Sequence, residues 1–149
     1  MQQKVTIKEI TDLDIGLLDY TEYKNLSEQN RRTLVKESNE GKHGGEYFKF
    51  YILEIDENAV GVMNLCGHGK EKISVAPEIF TEFRNKGFAV LGLKKVYQMV
   101  KDLNFKMLVA DIARQNQASV NLHLKLGFEI KDTYVSKRGR EMLYLEKPI

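Results

Sequence analysis

Residues 47–67, YFKFYILEI-DEN-AVGVMNLCG, set two nine-residue apolar stretches only three residues apart. Extended segments joined so closely must pair antiparallel, because a parallel return needs a crossover of roughly a dozen residues. A GHGK turn follows, then KISVAPEIF (72–80), rich in β-branched residues and expected to add a further strand. Pro77 lies inside it. Proline cannot donate to a ladder, so this strand is expected to be bulged, or unpaired on one side, near that residue.

Outside the hairpin, apolar periodicity orders the chain. KVTIKEI alternates as a first strand, with one slip near its end. TDLDIGLLDYTEY reads as a helix capped by Thr11 or Asp12, with Leu13, Leu17 and Tyr20 on one stripe. EQNRRTLVKESNE, capped by Ser27, reads as a mostly polar surface helix, and GKHGGE (41–46) as a mobile loop. A helix from about Gly87 to Asp102 is expected to bury Ala89, Leu93, Val96 and Val100. KMLVADIA is a strand, NQASVNLHLKL a helix closed by Gly127, and FEIKDTYVS with EMLYLEKPI a last hairpin around KRGR. The order β-αα-βββ-α-β-α-ββ predicts an α/β fold, a single mixed sheet with helices on both faces, in one domain spanning 1–149.

The balance of charge limits the function classes. A formal net charge of +2 is too small to point to nucleic acid, so any anion site must be local. No apolar run reaches the roughly 18 residues of a bilayer span, and MQQKVTIKEI lacks the apolar core of a signal peptide. Cys66 is the only cysteine, which excludes an intrachain disulfide. A cytoplasmic setting is therefore expected, with no nucleic-acid or membrane partner. A monomer or small oligomer, including a homodimer, fits the length.

The local anion site is sought in EFRNKGFAVLGLKKV (82–96), where Arg84, Lys86 and Gly87 stand directly before an apolar helix. A helix N-terminus offers unpaired N–H groups and the positive end of the dipole, and glycine lets a bulky anion approach the main chain. A solvated basic turn with a packing glycine is the plain alternative. Arg84-Asn85-Lys86-Gly87-Phe88-Ala89 resembles the Arg/Gln-x-x-Gly-x-Gly/Ala loop of the GNAT acetyltransferase superfamily. Asn116-Gln-Ala-Ser-Val-Asn-Leu-His-Leu-Lys-Leu-Gly-Phe128 is similar to that family's second signature, Asn-x-x-Ala/Ser-x-x-Leu-Tyr-x-Lys-Leu-Gly-Phe. Both occur in the family's order and strand–helix context, and the element order matches over nearly the whole chain.

The resemblance implies a mostly antiparallel sheet whose fourth and fifth strands splay apart to admit the pantetheine arm of acetyl-CoA, with Pro77 at the opening. It assigns coenzyme contacts to Ile79 and Phe80 at the strand end, to Arg84, Asn85, Lys86, Gly87, Phe88, Ala89 and Val90 in the loop, and to Asn116 and Ser119. It implies N-acetyl transfer to a small-molecule or peptide amine, with no metal. The family commonly places an acidic tyrosine where this chain has His123, so His123 becomes the candidate proton donor, with Tyr134 and Tyr144 behind it. Candidates for the base are Glu78, Asp111 and Glu71. The register is open here: either Thr81 takes the usual proline position, or residues are inserted after VAPE. His43, His68 and Cys66 lack metal-ligand spacing, and Cys66 reads as a buried filler. Arg31 and Arg32 read as a solvated face, with recognition of an acidic substrate as the alternative. A non-catalytic acyl-CoA sensor, or an unrelated small α/β nucleotide-binding or interaction domain, are the competing functions.

Overall fold

The computed structural model describes residues 3–149, so the first two residues of the N-terminal segment considered above lie outside the described residues. The central hairpin forms as β3 (Glu46–Ile55) and β4 (Asn58–His68). Its turn has only two residues, because Asp56 and Glu57 both take positive φ (50° and 71°) and Ile55 pairs directly with Asn58. β1 (Val5–Glu9) pairs antiparallel with β3, and β5 (Lys72–Ile79) antiparallel with β4. β6 (Met107–Ala113) lies parallel to β5, and the closing hairpin of β7 (Glu129–Val135) and β8 (Glu141–Pro148) joins through β8. The strand order is β1-β3-β4-β5-β6-β8-β7, and the β5–β6 pair is its single parallel junction among the described residues.

Both faces of the inner strands are covered, which is why β3 reads as a continuous apolar run rather than a clean alternation. Tyr51, Leu53 and Ile55 join Met63, Leu65, Ile73 and Val75 under α2 (Phe88–Val100), which buries Leu93, Val96 and Val100. Val120 of α3 (Gln117–Lys125) belongs to the same cluster. Phe50, Ile52 and Val62 face the other way, against Leu18, Val35 and Phe80. Ala89 is only half-buried, since it lies in the first turn of α2 at the edge of the packed stripe.

Three local expectations are corrected. Residues Asp12–Tyr20 form a 3₁₀ helix, closed at Thr11 by a reciprocal capping box with Asp14. Its inward residues are therefore three apart, Ile15, Leu18 and Thr21, whereas Leu13 and Tyr20 are exposed. GKHGGE forms a tight hairpin: Gly41 closes α1 (Glu28–Glu40) in the left-handed conformation, and β2 (Lys42–His43) folds back on Glu46 and Tyr47. Finally, Arg31 of α1 is not part of a solvated face. Arg31 is 8% exposed and donates to the carbonyls of Leu26 (3.1 Å), Ile15 (2.8 Å) and Lys24 (2.8 Å) and to Asp19 (2.6 Å). It clasps the 3₁₀ helix and the following turn to α1. Arg32 alone stays at the surface, paired with Glu28 (2.9 Å) and Asp12 (3.6 Å).

Pro77 behaves as one of its two alternatives required. β5 stays in register with β4 through Pro77, opposite Met63, but its ladder with β6 ends at Ser74 and Val109. The bulge lies instead in β4: Leu53 faces Gly61 and Glu54 faces Ala59, which leaves Val60 as the extra residue. Gly61 beside it presses on β5, where an added Cβ would fall 2.5 Å from the Glu78 carbonyl oxygen and 3.1 Å from Ile79 Cα. Backbone cannot yield as a side-chain tip can, so Gly61→Ala is expected to destabilise the fold by about 1–3 kcal/mol. Thermal melting should show a drop of about 3–9 °C.

Candidate active site

Past Ser74 the backbone edge of β5 that faces β6 has no strand partner, and a cleft of about 580 Å³ opens there. Pro77, Glu78 and Ile79 form one wall, and Asn116, Ala118, Ser119 and Leu122 of the α3 start form another. Between strand and helix α2, Thr81–Phe83 make a single 3₁₀ turn, so the residues after VAPE complete the strand and add one turn. The turn lets Arg84 reach back, its Nε donating to the Ile79 carbonyl at 3.0 Å. Nη1 and Nη2 of Arg84 have no protein partner among the described residues.

The loop then passes through two left-handed residues, Asn85 (φ 64°) and Gly87 (φ 78°), with Lys86 between them. Such alternation produces backbone concavities that bind anions. Gly87 is the N-cap of α2 and supplies no capping side chain; the first backbone bond of the helix is Leu91 N–H to Gly87 O at 3.3 Å. No acidic residue stands in the first turn to neutralise the dipole. A Cβ added to Gly87 would meet nothing within 4 Å, so this backbone faces open cleft. At the start of α3, Asn116 Oδ1 caps the helix by accepting the Ser119 N–H at 3.2 Å. Two helix N-termini, of 13 and 9 residues, thus border one cleft, a fit for a polyanionic phosphate group.

The candidate residues divide. Ile79, Arg84, Asn85, Gly87, Phe88, Ala89, Asn116, Ser119 and Glu78 line this cleft. Lys86 and Phe80 line a neighbouring depression on the far side of the loop, and Val90 lies outside the cleft lining. Phe83, Ala118 and Leu122 were not singled out from sequence, although Leu122 occupies the leucine position of the second signature.

Of the three carboxylates singled out, Glu78 is the one in the cleft lining. Both its oxygens accept the Glu22 backbone N–H, at 3.1 and 3.0 Å, which ties the group to the turn before α1. Asp111, on β6, instead accepts the Tyr134 hydroxyl at 2.8 Å, outside the cleft lining; that bond to a carboxylate raises the Tyr134 pKa. Glu71 pairs with Lys106 at 3.3 Å, at the opposite end of β5. Tyr144 donates to Glu146 and accepts from Lys72, and burial leads in raising its pKa.

His123 is 6% exposed, edge-on to Phe128 at 5.0 Å, and is absent from the cleft lining. Its Nδ1 lies 2.8 Å from the Ser119 carbonyl, an acceptor only, so Nδ1 carries the proton and neutral His123 has none on Nε2. Burial lowers its pKa, against the opposing pull of that carbonyl. Cys66 is half-buried, and burial pushes its thiol up. His68 bonds Ser74 at 2.8 Å, and His43 bonds Glu37. Among the described residues no three or more His, Cys, Asp or Glu side chains are grouped to hold a metal ion, and no helix is long and apolar enough to cross a membrane.

Comparison with known proteins places these features in context. The family described as an acetyltransferase (GNAT) domain matches residues 12–129. No curated protein matches the chain. Among solved structures, the spermidine/spermine N-acetyltransferase SpeG from Vibrio cholerae, in complex with manganese ions, superposes with a TM-score of 0.81 at 16% identity, over 97% of this chain and 92% of that one. A ribosomal-protein-alanine N-acetyltransferase from Brucella melitensis gives 0.79 at 18% identity, over 97% and 99%. RimL, a ribosomal L7/L12 alpha-N-protein acetyltransferase solved with coenzyme A, gives 0.80 at 12% identity, over 97% and 94%. At such identities the likeness is one of fold.

Asn116→Ala removes the α3 cap and should cost about 1 kcal/mol of stability. A chemical-denaturation midpoint lowered without a change in slope would be the signature of that loss.

Proposed function

The chain belongs to the GNAT acetyltransferase family, and on that premise we propose that it is an acetyl-CoA-dependent N-acetyltransferase. It transfers an acetyl group to a primary amine of a small molecule or peptide by direct attack in a ternary complex. The observation that carries this reading is the cleft where β5 leaves β6, bordered by two helix N-termini and walled by Glu78. Relatives of the same fold that act on spermidine or on ribosomal protein support an amine acceptor of either kind.

The residues take the following parts. The α2 start from Gly87 to Ala89 and the left-handed Asn85 hold a diphosphate through backbone N–H groups, with Arg84 adding charge. The free edge of β5 past Ser74 pairs with the amide-bearing arm, as a strand would. When bound, acetyl-CoA supplies the activated acyl thioester. An alkyl amine is protonated near neutrality, with a pKa near that of lysine, about 10.4, and cannot attack until it loses a proton. Glu78 accepts that proton, directly or through water. The nitrogen–carbon bond then forms as the carbon–sulfur bond breaks, and the second amine proton leaves towards the thiolate. His123 is not assigned the acid role, since its single proton is committed to Ser119 and burial disfavours a second.

One observation favours a second reading. Tyr, His, Cys and Lys are all missing from the cleft lining among the described residues, so no side chain there stands ready to protonate a thiolate. A non-catalytic acyl-CoA sensor would need none.

Melting the protein with acetyl-CoA, CoA and ATP in parallel tests the cradle. Ligand at 100 times its dissociation constant stabilises by about 2.7 kcal/mol, expected for the two coenzyme forms and not for ATP. Gly87→Glu should abolish that shift, because the added carboxylate opposes a diphosphate; an unchanged shift would refute the loop assignment. Glu78→Gln should lower kcat by about 10²–10⁴ while leaving the KM for acetyl-CoA in place. Coenzyme binding with no turnover on any amine would favour the sensor.

A further inference from the structure

Glu78 hangs from a single donor. Among the described residues, only the Glu22 backbone N–H donates to it, at 3.1 and 3.0 Å. Lys24 and Arg84 border the same depression, yet neither pairs with it, and Arg84 Nε is spent on the Ile79 carbonyl. A glutamate turns about three side-chain bonds, so one anchor decides which rotamer it keeps. The N–H uses only part of the acceptor capacity of the two oxygens and leaves lone pairs free for a proton. A cation in contact would instead favour the charged form and oppose proton uptake.

The turn that supplies this N–H has no slack. Thr21 is buried and extended (φ −125°, ψ 175°). Its hydroxyl donates to the Leu18 carbonyl at 2.8 Å and accepts the Tyr23 N–H at 3.0 Å. Its carbonyl accepts the Lys24 N–H at 3.1 Å, which closes a β-turn over Thr21–Lys24. The Tyr23 and Lys24 N–H groups are thus used inside the turn, and that of Glu22 is left for Glu78. Buried Arg31 grips the segment on both sides of the turn, at Ile15 and Asp19 before it and at Lys24 and Leu26 at its end.

Resting on the reading of Glu78 as the proton acceptor, we infer that the turn before α1 positions it. The Glu22 N–H fixes the carboxylate, and Arg31 is the positioning residue that holds the turn to which that N–H belongs. The contribution of Glu22 is its backbone and not its side chain.

Proline at position 22 deletes that donor alone. Glu22 is the second residue of the turn, where proline is favoured, and extended Thr21 already has the conformation that a following proline requires. Glu22→Ala is the partner variant, since it lacks the same carboxylate but keeps the N–H. CoA release is followed with n-butylamine and with alanylalaninamide as acceptors. Glu22→Pro should fall about 10–100-fold below Glu22→Ala in kcat, with the KM for acetyl-CoA the same in both. In a Glu78→Ala background the two should be equal, because nothing is left to position. Equal rates with Glu78 present, or a deficit that persists without it, would overturn the inference while the turnover itself upheld the enzyme. Deuterium exchange read by NMR needs no turnover. The Glu22 amide should exchange at least about tenfold faster in Glu78→Ala and in Arg31→Lys than in the unaltered protein. Unchanged exchange in Arg31→Lys would remove Arg31 from the device. If neither acceptor is turned over, faster exchange in Glu78→Ala keeps the tether and removes the transfer reading, and unchanged exchange removes both.

Discussion

The cleft in this fold depends on where one ladder stops. β5 and β6 pair over Lys72–Ser74 and Met107–Val109, then separate. Each strand is secured on its other side, β5 along its whole length by β4 and β6 by β8, so the sheet can open at its middle without unravelling. An open strand edge inside a sheet is ordinarily a liability, because its backbone groups go unpaired. Here Pro77 shortens the list of unpaired donors, and the freed edge faces a cleft rather than another protein chain. The bulge at Val60 and the close approach of Gly61 to Glu78 hold β5 firmly on the β4 side, so the opening is confined to the β6 side.

The second dependence links the two layers of the molecule. Glu78 sits on β5, but the N–H that orients it belongs to Glu22, in the turn between the 3₁₀ helix and α1. That turn is held by Arg31, which satisfies carbonyls at Ile15, Lys24 and Leu26 from one guanidinium. A planar fork of five donors suits the task; a lysine could not reach three carbonyls and a carboxylate together. The clasp therefore sets how the wall bearing Glu22 and Tyr23 meets the strand bearing Glu78. Stability and site geometry share the same residue.

Much of this could be read in advance. The central hairpin, the positions of α1, α2 and α3, the closing hairpin and the charged glycine loop all follow from local signals: alternation, caps and left-handed glycines. The misread segments failed for a physical reason in each case. The Asp12–Tyr20 stripe has an apolar spacing close to 3.6, but the helix is 3₁₀, which moves its inward face to Ile15, Leu18 and Thr21. GKHGGE carries the glycines of a flexible loop and of a tight hairpin alike, and only its pairing with Glu46 and Tyr47 separates the two.

The amino-acid sequence by itself determined the order of elements, the family and the position of the charged glycine loop, because period, capping and backbone freedom are properties of neighbouring residues. Tertiary structure decided which polar side chains act. Arg31 became a buried clasp and Arg32 stayed in solvent, although they are adjacent in the chain. Glu78 was tied to an N–H 56 residues away, while Asp111 was tied to a tyrosine 23 residues on. His123, in the position of a proton donor, went beneath Phe128. A polar side chain takes its role from the partner it meets, and those partners come from segments that only folding brings together.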